Sequence, residues 1–216
     1  MIPVKKMPAP PDFASRVAQN ANTFLSRTPN PTPADIRNKP YWRDVLDDLH
    51  ERYNEICAYS ALWCPRGMAT VDHYKPIHVC VAKQDYQSAY EWDNFRLASY
   101  SMNTEKNLWE DVCDPFLIEI GWFVLDFPSL MIKCGSSITP TDREKVEATI
   151  KRLKLNQNAK YIEYRLGFLR DYCLLCLGDC PIETAFKHLE LKAPFIAFEL
   201  KRQDLVQKII QMMFPK

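Results

Sequence analysis

Apolar residues between positions 41 and 56 recur at steps of three and four residues, as they do on one face of a helix. They include Trp42, Val45, Leu49 and Tyr53, and charged residues occupy positions between them. This spacing predicts an amphipathic helix that packs on a core through one face.

The pattern changes after Pro65-Arg66-Gly67, which predicts a turn. Residues 69–73 then predict a short strand that ends on Asp-His. Residues 74–90 show little pattern and are predicted to form a loop. Residues 92–99 predict a second strand or the approach to one, and we expect a helix to begin near Met102.

The first 40 residues differ from this central part. They contain eight prolines, a density that rules out one long helix, although a short helix can form within residues 13–27. We expect the remainder to be an extended arm that lies over the domain or is partly disordered.

The end of the chain is predicted to be mostly helical. Residues 116–127 are strand-like, Thr141 begins the spacing of a capping box, and two further helices are expected around residues 162–177 and 203–213. The predicted fold class is therefore α+β. Its predicted parts are an arm at 1–40, a central part with its leading helix at 41–112 and a mostly helical region at 113–216.

Composition favours an ordinary globular protein. The 216 residues are 47% hydrophobic and 25% charged, and no apolar run approaches the roughly 20 residues that span a bilayer. The N-terminus has two lysines with no apolar segment behind them, so we do not expect a signal peptide. These features predict a cytoplasmic protein with no membrane partner.

The eight cysteines are too sparse and irregular for a secreted disulfide scaffold, and we expect them to be reduced. Cys173, Cys176 and Cys180, together with His188, have a spacing that fits either a zinc site or the buried face of a helix. Their apolar neighbours favour the buried face.

Charge does not point to a polynucleotide. The formal net charge is +1, and residues 57–107 carry five basic and five acidic side chains. Residues 148–162 hold four basic residues and no acid, but a solvated helix face is favoured there over a DNA contact. A role in nucleic-acid chemistry must therefore rest on a motif.

Four features that suit a hydrolytic site follow one another in the central part. Phosphodiester hydrolysis needs a group that activates water and a cation that neutralises charge growing on the phosphate. An imidazole suits the first role, and carboxylate and amide oxygens are hard ligands for Mg²⁺ or Mn²⁺. Adjacent strand residues point in opposite directions, so the strand must end and bend at His73 for its neighbour to reach the same phosphate. The four features are Asp72-His73, Lys75-Pro76, Trp92-Asp93-Asn94, and Asn103 followed by Lys106.

In order, residue type and separation, the segments VDHYKPIH, EWDNFRL and SMNTEK resemble the HNH endonuclease family. The resemblance implies a small ββα-metal core with Asp-His at the end of its first strand. It implies His73 as the general base and Asn94 as a brace of the loop that aims it. It also implies Asp72 and Asn103 as ligands of Mg²⁺ or Mn²⁺. The side chains expected to contact DNA are Lys75, Arg96 and Lys106.

This sequence departs from many members of that family at a structural zinc, which two Cys-x-x-Cys pairs hold. Cys57, Ser60, Ser99 and Met102 occupy the matching places here. Because serine and methionine are poor zinc ligands, we expect no structural zinc.

A weaker resemblance covers more of the chain. The Pro/Lys-containing arm, Asp114-Pro115, and VEATIKRLKLN followed by Arg165 look like HNH proteins encoded beside ATPases in Septu and some retron antiviral systems. This implies an ATPase partner and a role in antiphage defence, with nucleic-acid cleavage released on infection.

Two other interpretations stay open. The first is a catalytically degenerate HNH scaffold that binds nucleic acid or a partner protein. The second is a purely structural helical protein in which the motif is accidental.

Overall fold

A computed structural model describes residues 1–215, which fold as an α+β protein with two separate antiparallel pairs of strands. The predicted α+β class is confirmed. The chain forms two compact units. We call residues 5–58 and 64–110 the central unit, and residues 1–4, 59–63 and 111 onward the helical unit. The sequence had predicted boundaries after residues 40 and 112; in the structure residues 5–40 go with the central unit.

Residues 5–40 form short helices joined by extended segments. Thr32 caps the second α-helix. Its hydroxyl accepts a hydrogen bond from the backbone of Asp35, and the Asp35 carboxylate accepts one from the backbone of Thr32. The short helix predicted within residues 13–27 is confirmed. The elements are a π-helical turn (Ala14–Ala18), α1 (Gln19–Arg27) and α2 (Pro33–Arg37).

The helix predicted over residues 41–56 is shorter than expected. A 3-10 turn, Tyr41–Val45, leads into α3, Leu46–Arg52. Asn54 and Glu55 then have φ angles of 52° and 61°, and two successive left-handed residues cannot continue a right-handed helix. The apolar spacing continues to residue 56, but spacing alone cannot show that the backbone turns at these two residues.

The predicted strand over residues 69–73 is confirmed, and it pairs with a second strand that a helix follows directly. The pairing is antiparallel, with Val71 opposite Leu97 and His73 opposite Phe95. Ser99 caps the helix, because its hydroxyl accepts a hydrogen bond from the backbone of Met102. These elements are β1 (Ala69–His73), β2 (Phe95–Ser99) and α5 (Tyr100–Lys106).

The predicted loop over residues 74–90 is partly helical. It contains α4, Ile77–Ala82, whose side chains Val79 and Cys80 are buried, and a 3-10 turn at Tyr86–Tyr90. Six residues are too few to show a helical period in the sequence, which explains why this helix escaped the pattern.

The helical unit contains the second pair of strands and five helices. The first strand of this pair begins at Phe123, whereas the strand-like pattern of the sequence begins at residue 116. Its first helix is capped by Thr139, whose hydroxyl accepts from the backbone of Asp142, and not by Thr141 as predicted. The sequence did not predict α8 and α9. The elements are β3 (Phe123–Asp126), β4 (Met131–Cys134), α6 (Pro140–Arg152), α7 (Ala159–Leu177), α8 (Ile182–Lys192), α9 (Pro194–Arg202) and α10 (Lys208–Met213).

A buried carboxylate joins α9 to β3. Glu199 is fully buried and accepts hydrogen bonds from the backbone of Leu125 at 2.9 Å and from Gln203 at 3.0 Å. Arg202 pairs with it at 2.7 Å. Because these partners all belong to the helical unit, the buried charge is compensated inside that unit.

All eight cysteines are free thiols. Within residues 1–215, no helix combines the length and the apolar character needed to cross a bilayer.

We expect Gly135→Ala to lower the free energy of unfolding by about 1–3 kcal/mol. A β-carbon at this position would overlap the backbone oxygen of Gly121, and backbone cannot swing aside as a side chain can. Gly167→Ala, within α7 and with nothing near its β-carbon, is the matched control. It should raise the free energy by up to about 1 kcal/mol. Urea denaturation measures both, and equal stabilities would contradict the close approach.

Candidate active site

Asp72 and His73 are the last two residues of β1, and their side chains have separate neighbours. Asp72 faces Lys106 of α5, and its side chain is 3% exposed. His73 is half-buried and lies between two aromatic rings. This is the alternation that strand geometry imposes on adjacent residues.

One nitrogen of the His73 imidazole is anchored on the backbone. Nε2 lies 2.9 Å from the carbonyl oxygen of Ala89. A carbonyl can only accept, so Nε2 carries the proton and Nδ1 keeps a lone pair. Trp42 and Phe95 hold the ring edge-on, with centroid distances of 4.6 and 5.4 Å. The imidazole is thus fixed in one tautomer and one orientation.

Burial lowers the pKa of His73 to about 4. The hydrogen bond to Ala89 and the negative charge of Asp72 oppose that shift, whereas the positive charge of Lys106 adds to it. The imidazole is therefore neutral near pH 7, the form that can accept a proton.

Asn94 braces the loop between the two strands. Its Oδ1 accepts a hydrogen bond from the backbone of Lys75 at 2.7 Å, and its Nδ2 donates to the carbonyls of Lys75 at 3.0 Å and Ser88 at 2.9 Å. Ser88 is the neighbour of Ala89, whose carbonyl anchors His73. The bonds of Asn94 thus fix both the chain after His73 and the carbonyl that aims the imidazole.

Asn103 attaches α5 to β1. Its Nδ2 donates to the hydroxyl of Thr70 at 3.1 Å and to the carbonyl of Val71 at 3.4 Å. Its Oδ1 accepts no hydrogen bond from residues 1–215, so this amide oxygen is free to act as a metal ligand. Val71 immediately precedes Asp72, which places this amide beside the candidate carboxylate along β1.

Lys106 lies inside the central unit. Its side chain is fully buried. Its Nζ donates to the backbone oxygen of His73 at 2.7 Å and lies 3.1 Å from Oδ1 of Asp72. The sequence resemblance predicts a phosphate contact for this ammonium group. The structure instead gives it an internal ion pair, because Lys106 is one helical turn beyond Asn103 and faces the same strand.

The other two predicted DNA contacts are also engaged. Arg96 is 3% exposed and donates to the backbone oxygens of Asp93 and Phe95 at 2.7 and 3.0 Å. Lys75 pairs with Asp85. Arg96 is therefore too buried to meet a polynucleotide, and Lys75 is the only one of the three predicted contacts with substantial surface.

Asp72 and Asn103 suit a hard divalent cation by donor type, since one is a carboxylate and the other has a free amide oxygen. Residues 1–215 contain no group of three or more His, Cys, Asp or Glu side chains that could hold a metal ion. A cation here would take most of its ligands from water and substrate, as Mg²⁺ commonly does. Cys173, Cys176 and Cys180, which the sequence offers as an alternative zinc site, are likewise not grouped to hold a metal ion.

The sequence did not predict the three groups that hold the imidazole, which are the rings of Trp42 and Phe95 and the carbonyl of Ala89. Trp42 was assigned to a packing face, and its contact with His73 joins residues 31 positions apart that no local pattern links. The carbonyl of Ala89 carries no side-chain signal at all. The only indication in the sequence was Asn94, five residues later, which the resemblance implies as a brace of this loop.

Comparisons with known proteins add no assignment. No protein-family model matches this sequence, and no curated protein matches it significantly. The roles of the site residues therefore rest on their geometry and on the sequence motif.

We expect the His73 imidazole to titrate near pH 4 in NMR spectra of the metal-free protein. Its pKa in the folded state is depressed from 6.5, so the unfolded chain binds the proton first as the pH falls. The free energy of unfolding should therefore decrease between about pH 6.5 and pH 4. His73→Gln should reduce that decrease. A titration midpoint near 6.5 would contradict the buried, neutral imidazole.

Lys106→Met should lower the free energy of unfolding by about 3–5 kcal/mol, because it leaves the Asp72 carboxylate buried without its cation. The double variant Asp72→Asn/Lys106→Met should recover part of the loss. Lys75→Met breaks the more exposed pair with Asp85 and should cost less than about 1 kcal/mol. Chemical denaturation measures all three. Equal losses of unfolding free energy in the two lysine variants would contradict a buried ion pair at Lys106.

Proposed function

We propose that the central unit is a ββα-metal nuclease core of the HNH type that hydrolyses DNA phosphodiester bonds. The order β1, β2, α5 supports it, with His73 ending the first strand and Asn103 on the helix. One observation carries the proposal: the hydrogen bond between Nε2 of His73 and the carbonyl of Ala89. It leaves Nδ1 as a proton acceptor at the end of a strand, held there by the loop that Asn94 braces.

In the proposed reaction, Nδ1 of His73 takes a proton from a water molecule as the water oxygen bonds to phosphorus. The bond from phosphorus to the 3′ oxygen breaks, and that oxygen takes a proton from solvent. The products are a 5′-phosphate and a 3′-hydroxyl, and the imidazolium returns its proton to solvent. Trp42 and Phe95 keep the ring in place throughout.

Asp72 and Asn103 would hold Mg²⁺ or Mn²⁺, which when bound supplies positive charge to the phosphate oxygens and the leaving group. Lys106 is a positioning residue in this scheme. It fixes the Asp72 carboxylate through an ion pair and the His73 backbone through a hydrogen bond.

A binding module without catalysis is the second candidate. The burial of Asp72 and its pairing with Lys106 favour it, because a carboxylate already neutralised by an ammonium group attracts a cation less strongly. Such a module would keep the scaffold and lose the cation.

We further propose an ATPase partner and a role in antiphage defence, on the basis of the sequence resemblance. The helical unit supplies a feature that suits a protein partner. Leu174, Leu177 and Leu191, on α7 and α8, are 46–60% exposed, and interfaces commonly bury such side chains.

We expect His73→Ala to lower the rate of plasmid cleavage in Mg²⁺ or Mn²⁺ by about 10²–10⁴-fold, the usual contribution of a general base. Asn103→Ala should raise the metal concentration needed for half-maximal cleavage. Agarose-gel time courses over a metal titration measure both effects.

His188→Ala, an exposed histidine of the helical unit, is the matched control and should cleave at the wild-type rate. Unchanged cleavage by His73→Ala would overturn the catalytic assignment. DNA binding without cleavage in every protein tested would favour the binding module.

A further inference from the structure

A polar groove lies in the central unit, outside the candidate active site. It runs between α1 and the segment from the end of α2 to Tyr41, and it encloses about 480 Å³. Phe24 and Arg27 line one side, and Asn38 and Lys39 line the other. This volume lies in the range of sites that bind small molecules, which leaves room for a nucleotide unit.

The groove is positively charged. Arg27 and Lys39 are exposed, and neither side chain forms an ion pair with any residue from 1 to 215. Arg27 and Lys39 are the two basic residues of the lining and Asp35 is its one acid, so the lining carries a formal charge of +1. Thr32 donates two hydrogen bonds to the Asp35 carboxylate. The two basic side chains of the lining exceed its acid by one and remain available to phosphates.

Aromatic rings connect the groove to His73. Phe24 and Tyr41 lie 6.4 and 5.8 Å from the ring of Tyr90, centroid to centroid. Tyr90 lies 5.8 Å from Trp42, which contacts His73 at 4.6 Å. The groove and the imidazole thus belong to one continuous aromatic cluster.

We infer that this groove binds a single strand of nucleic acid, with Arg27 and Lys39 on phosphates and Phe24 and Tyr41 offering surfaces for bases. Basic side chains that alternate with aromatic rings are the arrangement by which proteins bind unpaired strands. The link from the groove to cleavage at His73 rests on the proposed function, whereas binding by the groove does not.

The test measures binding without cleavage. Fluorescence anisotropy of a labelled oligothymidylate of about 20 nucleotides is followed in EDTA, with the full chain, at several salt concentrations. Arg27→Glu/Lys39→Glu should weaken binding by about 10-fold or more. Arg27→Gln/Lys39→Gln should reduce the dependence of log affinity on log salt by about 1.4, the value for two lost phosphate contacts on a single strand.

Arg170→Glu/Lys187→Glu is the matched control. It reverses one exposed arginine and one exposed lysine of the helical unit and should leave affinity within about twofold of wild type. A loss equal to that of the groove variant would show general electrostatic attraction and overturn the groove assignment. Wild-type affinity in the groove variant, or no binding by wild type, would also overturn it.

A competition arm identifies the source of the phosphate. Thymidine monophosphate should displace the oligonucleotide only at far higher concentration, because it offers one phosphate. Equal displacement by the mononucleotide would overturn the strand assignment in favour of a free nucleotide. Cleavage by the same variants in Mg²⁺ tests the proposed nuclease function separately, because the groove proposal depends only on binding. A groove variant that binds weakly while His73→Ala binds normally supports the groove, whether or not either protein cuts.

Discussion

The arrangement of the central unit depends on one buried ammonium group. Nζ of Lys106 bonds to the backbone oxygen of His73 and pairs with the carboxylate of Asp72, so a single side chain fixes the last two residues of β1. Asn103, one turn earlier on α5, bonds at Thr70 and Val71. Helix and strand are therefore joined by polar contacts at four successive strand residues. A buried pair of this kind is weak support for stability in itself, because desolvation offsets most of the attraction. Its value lies in the register it imposes, since a shift of β1 by one residue would separate two buried opposite charges.

The sequence predicted the parts of this site that depend on local order. The strand ending on Asp-His was correct at both ends, because a turn precedes it and its side chains alternate. The sequence could not predict which charges are buried. Lysine and arginine are mostly exposed in proteins, and the family resemblance implied DNA contacts for Lys106 and Arg96. Their burial depends on a carboxylate and backbone oxygens that come close only after β1, β2 and α5 have paired. The helix over 41–56 was overextended for a related reason: the left-handed Asn54 and Glu55 reverse the chain without any proline or glycine to mark it.

The distribution of charge looks different once the fold is known. Residues 57–107 are electrically neutral in the sequence, and in the structure one of their two arginines, Arg96, and one of their three lysines, Lys106, are internal. Arg27 and Lys39, two exposed basic residues of the same unit, come from a stretch whose prolines had suggested only an extended arm. Folding brings this stretch against the aromatic cluster that holds His73. The groups that suit chemistry and those that suit phosphate binding therefore come from separate parts of the chain.

The pairing of Asp72 with Lys106 also constrains how a cation could be held. A carboxylate and an ammonium group 3.1 Å apart have no net charge, so the protein alone offers little attraction to a divalent ion. A phosphodiester adds a negative charge and further oxygen ligands, and both increase the attraction. Metal and substrate would then bind with positive cooperativity, each raising the affinity for the other by the same factor. Under the proposed function, the neutral pair would therefore limit metal binding in the absence of nucleic acid, and the carboxylate would serve a cation chiefly when a phosphate lies beside it.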